Sequence, residues 1–140
     1  MSYRLIDHTA DLGIRVEEPD GPRLFAASAT ALCDLLWDPR LVRGGNTARI
    51  RVSGEDWPDL MVNWLRELLY FWSGLQRVVK GIAMDHFYAY GITAEVEWEP
   101  YDPARHCLRH EIKAVTYHQI AAGPMEEPSR GWQAQIIFDL

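Results

Sequence analysis

Ile92-Thr93-Ala94-Glu95-Val96-Glu97-Trp98-Glu99 decides the fold class. Ile92, Ala94, Val96 and Trp98 alternate with Thr93, Glu95, Glu97 and Glu99. A period of two sends the apolar set to one face of a strand and the charged set to the other, which is the pattern of a half-buried β-strand. Pro100-Tyr101-Asp102-Pro103 turns the chain after it. The same alternation recurs upstream in Leu12, Ile14 and Val16, and again in Ala48, Ile50 and Val52 around Arg49 and Arg51. Downstream, Ile112, Ala114 and Thr116 alternate with Lys113, Val115 and Tyr117, predicting a strand through about Ala121. The β-branched and aromatic residues of Val78 to Tyr90 also favour a strand. Gly123 to Pro128 reads as a loop, and Trp132 to Phe138 as the last strand.

Two stretches change to helical spacing. Asp20-Gly21-Pro22 gives a turn and a helix start, and Phe25, Ser28, Ala29, Leu32, Leu35 and Leu36 then share one face until Asp38-Pro39. The clearest helix carries Met61, Trp64, Leu65, Leu68, Trp72 and Leu75 in one stripe, with Asp56 or Ser53 as its cap. Two main helices and six or so strands, mostly antiparallel, predict an α+β fold in one domain over residues 1–140: a sheet covered by helices.

With 140 residues the chain can bury a core without disulfide staples. Cys33 and Cys107 suggest reduced thiols in a cytoplasmic protein. Asp7 and His8 interrupt any secretory apolar run, and no stretch has the length of a membrane span. A net charge of −6 argues against direct, salt-driven binding to nucleic acid and suits a cation or a basic partner. Arg40, Arg43, Arg49 and Arg51 form the one local basic group, read as a solvated surface.

The acidic residues near the two ends are the candidates for chemistry. If the last strand pairs with an early one, Asp11 and Asp139 share a pocket, and two hard oxygen ligands there suit Mg²⁺, Ca²⁺ or Mn²⁺. Leu140 adds a main-chain carboxylate, and His8 can orient an aspartate by a hydrogen bond. The plain alternative is that Asp7, His8, Thr9 and Asp11 bond the backbone of a turn. Lys113 is either a solvated strand lysine or an ammonium beside the acidic pocket. His106 and His110 are four apart but lie in a turn, where polar roles are expected over zinc; His118 is expected at the core or edge of a strand. No phosphate loop, dinucleotide fingerprint or nucleophile elbow is present.

The blocks His8-Thr9-Ala10-Asp11, Leu65-Arg66-Glu67-Leu68-Leu69, Ile112 to His118 and the closing Ile-Ile-Phe-Asp-Leu together resemble the archease family over nearly the whole chain. The resemblance implies a small α+β accessory protein, not itself an enzyme, that activates the RtcB-type RNA ligase. That ligase joins an RNA 3′-phosphate or 2′,3′-cyclic phosphate to a 5′-hydroxyl in tRNA splicing and RNA repair, after GTP-dependent guanylylation. By resemblance, Asp11, Asp139 and an oxygen of Leu140 bind a divalent metal, with Ca²⁺ expected as the bound ion and Mg²⁺ or Mn²⁺ in function, and Lys113 belongs to the same patch. The ligase is the expected protein partner, with RNA met only indirectly. Two other classes compete: a chaperone-like modulator of a tRNA-modifying enzyme such as a methyltransferase, and a small metal-dependent phosphohydrolase, which lacks an obvious general base.

Overall fold

The alternating stretch forms a strand within a computed structural model that describes residues 3–7 and 11–140. In chain order the elements are β1 (Tyr3–Asp7), β2 (Asp11–Glu18), α1 (Gly21–Leu36), β3 (Asn46–Ser53) and α2 (Trp57–Ser73). They continue with β4 (Arg77–Tyr88), β5 (Gly91–Pro100), β6 (Ala114–Val115), β7 (Ala121–Pro124) and β8 (Trp132–Asp139). The α+β expectation holds, with two helices, but the strands divide into two antiparallel sheets. One runs β1-β2-β8-β6, with β7 also on β8, and the other runs β3-β5-β4.

Both helices start where the sequence caps them. The Asp20 carboxylate accepts from the Arg23 N–H at 2.9 Å, and the Asp56 carboxylate accepts from the Asp59 N–H at 2.8 Å. Each answers one of the orphan N–H groups of a first turn, and a proline follows in that turn where its missing N–H costs nothing. α1 ends at Asp38-Pro39, where the Trp37 N–H closes the last turn on the Cys33 carbonyl at 2.8 Å.

The helices touch strands of both sheets, which is why their buried faces are wide. Trp64 is fully buried, and its indole N–H donates to the Phe25 carbonyl at 2.9 Å, joining α2 to α1. Ile14, Leu24, Phe25, Leu65, Ile92, Ile136 and Phe138 close the same core. Each such side chain stabilises by roughly 1.5–3 kcal/mol relative to exposure.

Two local readings are corrected. The strand expected from Ile112 through about Ala121 is only Ala114–Val115, and Gly123 and Pro124, expected in a loop, belong to β7. The register explains the break: Val115 faces Phe138 and Ala121 faces Gln135, so residues 116–120 lie opposite only Ile136 and Ile137. The excess chain leaves the sheet through a turn in which Gln119 takes φ 53°. His118 therefore lies exposed in this turn, not on a strand face. Tyr117 fixes the excursion to α2, its hydroxyl donating to Asp59 at 2.6 Å and its ring lying under the Arg66 guanidinium.

Candidate functional site

β2 and β8 pair over their whole lengths, and that ladder brings the ends of the sequence together. Asp11 lies directly opposite Asp139. On the far side of β8, Ala114 faces Asp139 as well, and the Lys113 N–H donates to the Asp139 carbonyl at 2.8 Å. Strand pleating puts Asp11 and Asp139 on the same face, opposite the one where Leu12 meets Phe138 and Ile14 meets Ile136 in the core. Directly opposed residues hold their Cβ atoms about 5 Å apart. Asp11 is half-buried and Asp139 exposed.

The expected residues are thus collected by backbone register. Leu140 follows directly and is exposed. Lys113 is exposed and lines a cavity of about 340 Å³ with Trp72, Ser73, Gln76, Glu111 and Ile112, at the end of α2. Its main chain touches the acidic pair while its surroundings belong to that cavity. His8 lies outside the described residues. Among the described residues no three His, Cys, Asp or Glu side chains gather as a ready cation cage. Among the described residues the rung offers the two carboxylates and main-chain oxygen. Such a set is hard in character and fills only part of the roughly six to eight oxygen positions a Ca²⁺ ion takes.

Two of the four arginines of the local basic group, Arg40 and Arg49, are paired with carboxylates. Arg40 grips Asp38 with Nη2 at 2.8 Å, Arg49 meets Asp85 at 2.5 Å, and Arg51 bonds the Tyr88 side chain. Asp38 answers by falling to about pKa 2, held down by the Arg40 guanidinium and backbone N–H. These residues form a solvated, paired surface.

The model of the Archease protein family matches residues 3–140. The chain belongs to the archease family. It is 31% identical over 148 residues to Protein archease of Methanopyrus kandleri, with 100% of each chain covered. It is 30% identical over 142 residues to Protein archease of Methanosarcina barkeri, covering 99% of this chain and 95% of that one. Its fold is similar to the solution structure of Methanobacterium thermoautotrophicum protein 1598, with a TM-score of 0.75 at 27% identity over 99% of this chain and 98% of that one.

This archease-family fold also holds a polar cluster that the sequence reading missed. Glu99 falls on the polar side of the alternation, yet it is 4% exposed. Its carboxylate accepts the N–H groups of Arg43 and Gly44 and meets the Arg105 guanidinium and, at 3.1 Å, His106 Nε2. His106, expected as a turn residue, has a fully buried side chain whose Nδ1 accepts the Asp102 N–H at 2.9 Å. Burial pushes the Glu99 pKa up, but the Gly44 and Arg43 N–H groups and Arg105 outweigh it and hold the carboxyl below its ordinary value. Trp37, Trp72 and Tyr101 pack beside this cluster. The only sequence cue was the turn Pro100-Tyr101-Asp102-Pro103, which returns Arg105 and His106 towards the end of β5.

Proposed function

We propose that this archease-family protein is a non-catalytic activator of an RtcB-type 3′-phosphate RNA ligase, promoting its GTP-dependent guanylylation and repeated turnover in tRNA splicing or RNA repair. The observation that supports this reading is the direct opposition of Asp11 and Asp139, with Lys113 bonded to the same rung. Asp11 and Asp139 would hold a divalent cation, with main-chain oxygen of Leu140 as a further donor. Such an ion supplies charge neutralisation to phosphate oxygens. Asp11 and Asp139 come from neighbouring strands, so the ladder sets their positions. Lys113 joins this rung through its main chain and adds a compact positive charge to the adjoining cavity at the end of α2. The net charge of −6 favours approach to a basic rim on the ligase.

The test is guanylylation and multiple-turnover ligation by the cognate ligase, with and without this protein and with Asp11→Ala. Stimulation by wild type and none by a folded Asp11→Ala protein is the expected result. A folded wild-type protein that leaves both reactions unchanged overturns the ligase reading. Full stimulation by Asp11→Ala removes the acidic pair from it.

A further inference from the structure

Residues 101–113 carry no helix or strand and lead to Lys113. The first turn of this stretch is closed by the Arg105 and His106 N–H groups, which both donate to the Asp102 carbonyl, at 3.0 and 2.7 Å. The His106 ring closes it a second time, its Nδ1 accepting the Asp102 N–H at 2.9 Å. A ring nitrogen that accepts carries no proton, so the one proton of the ring sits on Nε2, 3.1 Å from the Glu99 carboxylate. Both contacts stand together only while His106 is neutral.

The groups around the ring decide what a second proton does. Glu99, on β5, attracts it. Arg105 opposes it, with Nη1 3.2 Å from Nε2. The end of α1 presents the Trp37 ring, and Asp38 beside it is engaged by Arg40 and Arg109. Asp102 turns its carboxylate to the Ala104 N–H at 3.0 Å, and Arg43 reaches the cluster through its main-chain N–H to Glu99. The His106 side chain has no exposed surface, so no water screens a positive ring. The vacant position for the second proton is Nδ1, where it would point at the Asp102 N–H. Two donors cannot share that contact, so the charged ring fits only an opened turn, and acid favours the open form.

The same turn supports the cavity that Lys113 lines. The Tyr101 ring stacks beside His106, with centroids 6.0 Å apart, and meets Trp72 edge-on at 5.0 Å. The Tyr101 N–H donates to the Gln76 carbonyl at 3.1 Å. Trp72 and Gln76 both line the cavity. Gln76 takes φ 52°, a left-handed conformation that a residue with a side chain keeps only with support from its surroundings. We propose that His106 is a proton-operated latch on the Lys113 cavity: a second proton on Nδ1 expels the Asp102 N–H, and the freed turn withdraws Tyr101 from Trp72 and Gln76. The latch goes beyond the ligase reading and is a property of the free protein, so the two fail separately.

The experiment follows the full chain by NMR from about pH 8 to about pH 5, the range in which imidazoles change charge. The ring nitrogen shifts of His106 count its protons. The hydrogen-exchange protection of the Asp102 amide, corrected for the intrinsic pH dependence of exchange, reports the turn. The Gln76 amide and Trp72 indole shifts report the cavity wall. Protection of Asp102 is expected to fall about tenfold as His106 gains its second proton, with the Gln76 and Trp72 shifts moving at the same midpoint. In His106→Gln, which cannot titrate, those pH dependences should vanish; the wild-type curves decide the matter if that variant does not fold. A His106 that becomes charged while Asp102 keeps its protection overturns the latch, and so does a His106 that stays neutral throughout the range. Opening of the turn with Gln76 and Trp72 unmoved overturns the link to the cavity. The same transition in folded His106→Gln overturns the role of His106.

Discussion

Replacing Asp11 with Asn should raise the stability of the metal-free protein and abolish its response to divalent cations. Asp11 and Asp139 are opposed across β2 and β8. At about 5 Å, with the screening of water, two carboxylates repel by ~0.8 kcal/mol. Favourable cross-strand pairs are worth roughly 0.2–1 kcal/mol and directly opposed like charges are destabilising, and the exposure of Asp139 keeps this repulsion on that small scale. Asp11→Asn removes the repulsion at nearly constant volume, so melting should rise by about 1–3 °C for a chain of this size. A cation held by both carboxylates acts in the opposite direction on the wild type, adding about 2.7 kcal/mol at a hundredfold excess over its Kd. The assay is calorimetry of both proteins in EDTA and in millimolar Ca²⁺, Mg²⁺ and Mn²⁺. The wild type should cross from the less stable to the more stable of the two as the ion is added. An Asp11→Asn protein that loses more than about 1 kcal/mol in EDTA, beside a wild type indifferent to all three ions, would refute the reasoning. The Asp11 carboxylate would then serve the backbone at the start of β2.

Glu99→Gln should cost about 3 kcal/mol in urea denaturation, because it strips the anionic partner from the half-buried Arg105 and the buried His106. The same residue sets an acid limb. Its carboxyl is held below the ordinary value of 4.5, so its contribution is complete above that value and drains away as pH falls through the lower native value. Stability of the wild type measured from pH 5 downward should fall more steeply than that of Glu99→Gln. Trp64→Phe should cost about 2 kcal/mol, since it removes the indole N–H that donates to the Phe25 carbonyl and opens a void in a fully buried position. Gly131→Ala should cost about 1–3 kcal/mol, read as a lower urea midpoint, because φ is 104° and the new Cβ would meet the Glu18 carbonyl oxygen at 2.6 Å.

The strands with one wet face and one dry face were legible because their burial repeats every two residues. β5 obeys the rule from Ile92 to Val96, then departs from it where Glu99 is buried. That departure is tertiary: the partners of Glu99 are the main chain at Arg43 and Gly44 and the side chains of Arg105 and His106, none on a neighbouring strand. The Ile112–Tyr117 alternation promised a longer strand than exists for a related reason. Thr116 sends both its N–H and its hydroxyl to the Ile137 carbonyl, at 3.1 and 3.0 Å, and pairing stops there. A single sequence shows the period of a strand but not how many residues its partner offers. The meeting of Asp11 and Asp139 was legible only as a condition, since the alternation of each strand fixes its inner face and leaves its partner open.

Two polar centres in this fold are built on opposite principles, and the difference predicts how each tolerates change. The Asp11–Asp139 pair is placed by a backbone ladder that runs from Asp11↔Asp139 to Glu18↔Trp132, and the Lys113 N–H bonds a main-chain oxygen. None of those hydrogen bonds depends on which side chain occupies positions 11, 113 or 139. Substitution there leaves that backbone ladder in place. Glu99 is the reverse: its side chain itself ties β5, the Arg43–Gly44 segment and the Arg105–His106 turn together. A change there is a change of fold stability before it is anything else. The acidic pair, with Asp139 exposed and Asp11 half-buried, stands on the face away from the core that Glu99 helps to hold together.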